Sequence, residues 1–122
     1  MNDLHALCDG SLQEALATLP DDERSDRVHA FFARPDVALF WISGDCPVQA
    51  EGQFQGVAFD FRARGQRWKL EMAGPTPWSF EAAYGSGPFD AGYMDLGEAL
   101  GFIMDAIGLS PLAQQTQAAQ AA

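Results

Sequence analysis

The sequence is poor in positively charged residues and in cysteine. Lys and Arg total 7 against 17 Asp and Glu, which gives a formal net charge of −10. A field this negative argues against direct binding to a nucleic-acid backbone or to an anionic membrane. The two cysteines, Cys8 and Cys46, have no CxxC spacing, and a chain that is 48% hydrophobic does not need a disulfide to stabilise its core. We therefore interpret both as reduced thiols.

Long hydrophobic runs are absent as well. The longest apolar stretch, Val37–Ile42, is far shorter than the roughly 20 residues needed to cross a bilayer. The first residues carry an acid and a histidine where a secretory signal has Lys or Arg before an apolar run. These absences predict a cytoplasmic protein without a membrane segment.

Length and apolar content predict one domain. A chain of 122 residues suits a single core. Residues 113–122 contain only Ala, Gln and Thr, which offer no large apolar group to hold them to the rest of the chain. We predict a domain over residues 1–112 and a flexible Ala/Gln tail over residues 113–122.

The N-terminal third is predicted to be helical. Ser11 and Glu14 have capping-box spacing, and apolar residues recur behind them at helical intervals as far as Pro20. A second helix is expected to begin at Pro20 or Asp21, where several carboxylates complement the helix dipole. Pro35 should end it.

The middle of the chain is predicted to form strands. The stretch Val37–Ile42 is apolar at every position, which is typical of a strand covered on both faces or central in a sheet. Residues 57–72 alternate apolar and polar on either side of Gly65-Gln66, the pattern of a hairpin with a tight turn. A further alternating strand follows Pro77, and Gly85–Met94 is predicted to be a loop too flexible for regular structure.

A final helix is predicted from the capping-box spacing of Asp95 and Glu98. Its apolar stripe should pack on the sheet, with Gly97 and Gly101 allowing close approach to a strand. The predicted fold class is therefore α+β: N-terminal helices, an antiparallel meander of three to five strands, and one C-terminal helix packed on the sheet.

The densest acidic segment lies at the predicted start of the second helix and comprises Asp21, Asp22, Glu23 and Asp26. It is a candidate contact surface for a basic partner. The alternative is that these carboxylates only complement the helix dipole and keep the protein in solution.

Four of the seven basic residues fall on the predicted hairpin: Arg62, Arg64, Arg67 and Lys69. They are candidates for binding a small anion or an acidic partner. The alternative is an ordinary solvated face whose charges protect an exposed strand from pairing.

Two aromatic residues, Phe89 and Tyr93, interrupt the glycine-rich loop before the final helix. Aromatic side chains on such a loop either fold back onto the core or serve as anchors for a partner. The sequence leaves both alternatives open.

No catalytic or metal-binding motif emerges. His5 and Cys8 have one local ligand spacing, and His29 with Cys46 could complete a tetrahedral set, but zinc sites usually show two short paired spacings. No nucleophile elbow or phosphate loop is present. We predict no catalytic residues, no metal and no cofactor.

These observations favour a non-enzymatic, acidic protein-binding module. The leading hypothesis is an inhibitor of the anti-defence or immunity type, which occupies a basic surface of a partner protein, such as a surface that binds nucleic acid. Asp21, Asp22, Glu23, Asp26, Phe89 and Tyr93 would contact that partner. The alternatives are a module that binds an anionic metabolite or nucleotide, and an acidic secretion-type chaperone. We expect a monomer or homodimer with no direct nucleic-acid or membrane contact.

Overall fold

A computed structural model describes residues 12–115 of the chain. Helix α1 covers residues 12–17, and α2 is Glu23–Phe32. Five strands follow: β1 Val37–Ser43, β2 Val48–Phe54, β3 Val57–Arg64, β4 Arg67–Met72 and β5 Trp78–Ala83. A 3₁₀ turn at Ala91–Tyr93 precedes helix α3, Leu96–Leu109, and residues 111–115 form a short helix α4.

The five strands form one antiparallel meander in the order β1-β2-β3-β4-β5. The helices cover one face of this sheet, which confirms the predicted α+β fold. The hairpin turn at Gly65-Gln66 is also confirmed, and Gly65 has the positive φ of 62° that the turn requires. Within residues 12–115, no helix has the length and apolar character needed to span a membrane.

The core lies between the inner face of the sheet and α3. The alternating strand residues that point inward include Phe61, Trp68 and Leu70, and α3 buries Leu100 and Ile103 against them. The outer face of the sheet has no covering layer within the described chain, so its side chains are largely exposed. The molecule therefore has two distinct surfaces, a helical side and a bare sheet face.

Strand β1 lies at the edge of the sheet, so its predicted central position is wrong. Only its inner face is buried, and Phe40 on the outside remains 40% exposed. The register against β2 shifts between Leu39 and Trp41, so that Phe40 forms a bulge opposite Gly52 and Glu51. The apolar outer residues of β1 are therefore surface residues, and the continuous apolar run does not indicate a second covering layer.

The glycines of α3 pack against other helices, and the predicted contact with a strand is wrong. A Cβ at Gly97 would meet Leu19 at 3.0 Å, and the Gly97 N–H donates to Thr18 Oγ1 at 2.8 Å. A Cβ at Gly101 would lie 2.9 Å from the guanidinium of Arg24. The two glycines thus let the turn after α1 and the first turn of α2 approach α3.

The chain beyond residue 112 continues in helix α4 as far as it is described. Ser110 Oγ accepts a hydrogen bond from the Ala113 N–H at 3.3 Å, and Ala113 is buried in the core. Ala113 of the predicted tail therefore packs on the domain, whereas Gln114 and Gln115 are exposed. Residues 116–122 lie outside the described residues, as do the capping-box residue Ser11 and the candidate ligands His5 and Cys8.

Candidate protein-binding surface

The acidic segment lies at the N-terminus of α2, where one carboxylate has a structural role. The helix begins at Glu23 and not at the expected Pro20 or Asp21, because Asp22 caps it and accepts a hydrogen bond from the Ser25 N–H at 2.7 Å. Asp21, Glu23 and Asp26 are exposed and make no ion pair within the described chain. Three of the four predicted contact carboxylates are thus available to a partner.

Arg24 partly offsets the charge of this acidic segment, because its charge helps to lower the pKa of Asp22, although its guanidinium is bound to α3. Its two terminal nitrogens donate to both carboxylate oxygens of Asp105 on α3, at 2.8 and 3.3 Å. This hydrogen bonding raises the pKa of Arg24. Gly101 leaves room for the guanidinium against α3, and the same positive charge still attracts the Asp22 carboxylate.

The N-terminus of α3 adds two further carboxylates beside the first segment. The predicted capping box is confirmed: the Asp95 N–H donates to Glu98 Oε1 at 3.3 Å. Asp95 and Glu98 line one shallow depression of about 220 Å³ together with Asp22 and the basic residue Arg24. The acidic starts of α2 and α3 therefore adjoin and form a region in which carboxylates outnumber the one base, Arg24.

The loop between β5 and α3 is held by hydrogen bonds and contains a 3₁₀ turn, so its predicted lack of regular structure is wrong. The Asp90 carboxylate accepts hydrogen bonds from the backbone N–H groups of Ser86 and Gly87 at 2.9 and 2.8 Å. The Ala91 N–H donates to the Gly65 carbonyl at 2.9 Å, and Gly92 is buried. The three glycines suggested flexibility, but these side-chain and backbone bonds fix the loop.

This fixed loop presents Phe89 and Tyr93 to solvent. Their side chains are 61% and 60% exposed, so of the two alternatives left open by the sequence the structure shows the exposed one. Together with Tyr84 and Asp90 they line a second open depression. Large aromatic side chains exposed on an ordered loop are suited to anchoring a partner at low entropic cost.

Tyr84 connects the aromatic loop to the acidic region. Its hydroxyl donates to both carboxylate oxygens of Glu98 at 2.9 and 3.0 Å, and its ring packs edge-on against Phe102. Burial, together with the nearby carboxylates of Glu98, Asp95 and Asp90, raises the pKa of Tyr84 to about 12. The phenol therefore stays protonated and holds Glu98 beside the loop.

We call the combined region the acidic–aromatic surface. It comprises the two adjoining helix starts and the exposed loop aromatics: Asp21, Asp22, Glu23, Asp26, Asp95, Glu98, Phe89 and Tyr93. Its chemistry suits a partner that offers Lys or Arg to the carboxylates and an apolar or cationic group to the rings.

Asp95 and Glu98 are the members of this surface that the sequence did not single out. Their capping-box spacing was recognised only as a helix signal. A second acidic helix start is visible in the sequence, but its position beside the first depends on how α3 packs against α2, which local patterns do not reveal.

The predicted basic residues lie on the outer face of the sheet, and the depression that they line is bordered by Pro88 of the loop that carries Phe89. Arg62 is directly opposite Lys69, and Arg64 is directly opposite Arg67. All four line a depression of about 650 Å³. Three carboxylates line the same depression, namely Asp60, Glu71 and Glu81, and two of them form ion pairs with Lys69 and Arg67.

The remaining candidate ligands do not assemble in the described part of the chain. Cys46 is a free, exposed thiol whose backbone N–H donates to the Gly92 carbonyl, and His29 is exposed in the last turn of α2. Among residues 12–115, no group of three or more His, Cys, Asp or Glu is placed to hold a metal ion.

The cap made by Asp22 leads to a pH-dependent prediction. The Ser25 N–H holds the pKa of Asp22 below its ordinary value, so the ionised form favours folding. This stabilisation is present above about pH 4 and is lost as the pH falls further. We expect Asp22→Ala to lower the melting temperature at pH 7 and the difference from the wild type to shrink in acid. Asp21→Ala removes the same charge without a cap, so equal melting temperatures of the two variants at pH 7 would contradict the assignment.

Comparison with protein-family models, curated proteins and solved structures found no match for this chain.

Proposed function

We propose that this protein is a non-enzymatic binding protein that uses the acidic–aromatic surface to occupy a basic surface of another protein. The observation that supports this most directly is the adjacency of two acidic helix starts and two exposed aromatic residues, Phe89 and Tyr93, on an ordered loop. Carboxylates and aromatic anchors together provide both attraction and a salt-resistant contact.

Electrostatics would accelerate the encounter. A net charge of −10 attracts a basic partner over distances set by the Debye length, about 8 Å at physiological ionic strength. The exposed carboxylates of α2 then lie where the partner would otherwise meet phosphate groups. An inhibitor of the anti-defence or immunity type works in this way when its target is a nucleic-acid-binding protein, and this is the specific role we propose.

Affinity capture at low salt, followed by salt-step elution, tests this function when it is run with matched variants. The wild-type protein should retain a basic protein at stoichiometric amounts and release it at moderate salt. Phe89→Ala/Tyr93→Ala should lose that protein, whereas Phe40→Ala, which removes an exposed aromatic on the opposite face, should retain it. The proposal would be rejected if the wild type and both variants retained the same protein. It would also be rejected if the wild type retained no basic protein.

A small-ligand function ranks second and is supported by one observation. The depression lined by Arg62, Arg64, Arg67 and Lys69 could accept an anionic metabolite or a nucleotide. The three carboxylates in its lining would repel such a ligand, which is why we rank it below protein binding. The sequence-based alternative of a secretion-type chaperone gains no distinguishing feature from residues 12–115.

A thermal-shift assay, which measures the change in melting temperature on adding a ligand, separates the small-ligand function from protein binding. We expect nucleotides and phosphorylated metabolites to leave the melting temperature unchanged. A ligand at 100 times its dissociation constant would add roughly 2.7 kcal/mol to the stability. A shift of that size that disappears in Arg62→Gln/Lys69→Gln, but not in Arg27→Gln, would instead establish a ligand site on the outer face.

A further inference from the structure

The outer face of the sheet carries like charges in direct opposition. Glu51, Asp60 and Glu71 are paired directly across three neighbouring strands and form an acidic row. Two residues along the same strands, Arg62 is opposite Lys69, and these two bases form a basic row between Gln49 on β2 and Glu81 on β5. Like charges directly opposite each other destabilise a sheet by roughly 0.2–1 kcal/mol per pair. Both rows therefore oppose the stability of the isolated monomer.

The acidic row is poorly compensated within the monomer. Burial, together with the neighbouring Glu51 and Glu71 carboxylates, raises the pKa of Asp60. Glu71 reaches Lys69 only at 3.5 Å, and neither Asp60 nor Glu51 forms an ion pair within the described chain. The three carboxylates are exposed, so a positively charged row from another molecule could reach them.

We propose that this face associates with the same face of a second copy, in an arrangement that sets the acidic row of each copy against the basic row of the other. The rows are about 7 Å apart along the strands. A two-fold axis between them, parallel to the rows and in the plane of the interface, exchanges them. Asp60 then faces Arg62 of the second copy, and Glu71 faces Lys69 of the second copy.

The size of the face indicates a weak dimer. Five strands spaced about 4.8 Å apart and seven residues long present on the order of 500 Å² per copy. Stable interfaces bury about 800 Å² per partner. The exposed ring of Phe40 adds apolar area beside the acidic row, where it lines one depression with Glu51 and Asp60. The dimer should therefore form at high protein concentration and low salt.

Charge exchange tests this inference. Asp60→Lys/Glu71→Lys makes both rows positive, and Arg62→Glu/Lys69→Glu makes both negative. Sedimentation velocity of the wild type at low salt should show a mass that rises with concentration toward twice 13.2 kDa. Each variant alone should stay monomeric, and an equimolar mixture should form a one-to-one heterodimer.

The inference is overturned if the wild type remains monomeric at low salt and high concentration. It is equally overturned if the wild type dimerises while the variants dimerise separately, or if the mixture remains monomeric. If either variant fails to fold, the salt dependence of wild-type dimerisation still tests the inference. Its dimer dissociation constant should rise at least 10-fold between low salt and high salt, and a salt-independent dimer would contradict paired charge rows.

Discussion

Replacing Gly52 by alanine is expected to destabilise the protein by about 3 kcal/mol, which is near the upper end of the usual cost of overpacking a core. A Cβ at this position would lie 2.7 Å from the Phe59 ring and closer still to the carbonyl oxygen of Ala38. Both neighbours are fixed, since Ala38 belongs to the paired backbone of β1 and Phe59 is buried in the core. The bulge in β1 opposite Gly52 would have to shift.

Gly108→Ala is the matched control, because it adds the same methyl group where nothing lies within 4 Å. Gly108 is inside α3, and alanine there is expected to stabilise the helix by about 0.5–1 kcal/mol. Thermal denaturation of both variants measures the difference. A Gly52→Ala variant as stable as the wild type would contradict the close packing of β1 over β2.

Reversing the exposed acids of α2 is expected to slow association with the captured basic partner by about 10-fold or more at low salt, because steering by charge dominates the encounter. The variant is Asp21→Lys/Glu23→Lys/Asp26→Lys. It leaves Asp22 in place, so the cap on α2 is retained and the melting temperature should fall only by the lost helix-dipole interaction of Glu23 and Asp26. Phe89→Ala/Tyr93→Ala should instead accelerate dissociation by about 10-fold.

The control for the charge reversal is Glu51→Lys/Asp60→Lys/Glu71→Lys. It changes the net charge by the same amount but lies on the outer face of the sheet, away from the helices. Its association rate should fall much less than that of the α2 variant. Equal rates for the two variants would show that only the total charge matters and that the acidic–aromatic surface has no special role.

Local patterns predicted the elements of this fold better than their contacts. The alternation on either side of Gly65-Gln66 and the capping box at Asp95 depend on neighbours within a few residues, and both are confirmed. The edge position of β1 depends on which strands pair, and an apolar run cannot reveal it. The packing of Gly97 against the turn after α1, and of Gly101 against α2, is likewise a property of the tertiary structure.

The candidate site shows the same division between local and distant information. The acids of α2 and the loop aromatics could be recognised from composition, but the sequence could not show that both lie beside the start of α3. The loop is held by Asp90, whose carboxylate accepts hydrogen bonds from two backbone N–H groups. The glycine-rich sequence does not show these bonds. Glu98 became part of the site only through its hydrogen bond with Tyr84.

Hydrogen–deuterium exchange of the protein with and without its captured partner tests the central claim most directly. The proposed function predicts slowed exchange in the first turn of α2, in the loop around Phe89 and Tyr93, and at the start of α3. Exchange on the outer face, in β3 and β4, should be unchanged by the partner. Protection confined to those strands, with the loop and α2 exchanging as in the free protein, would contradict the acidic–aromatic surface as the binding site.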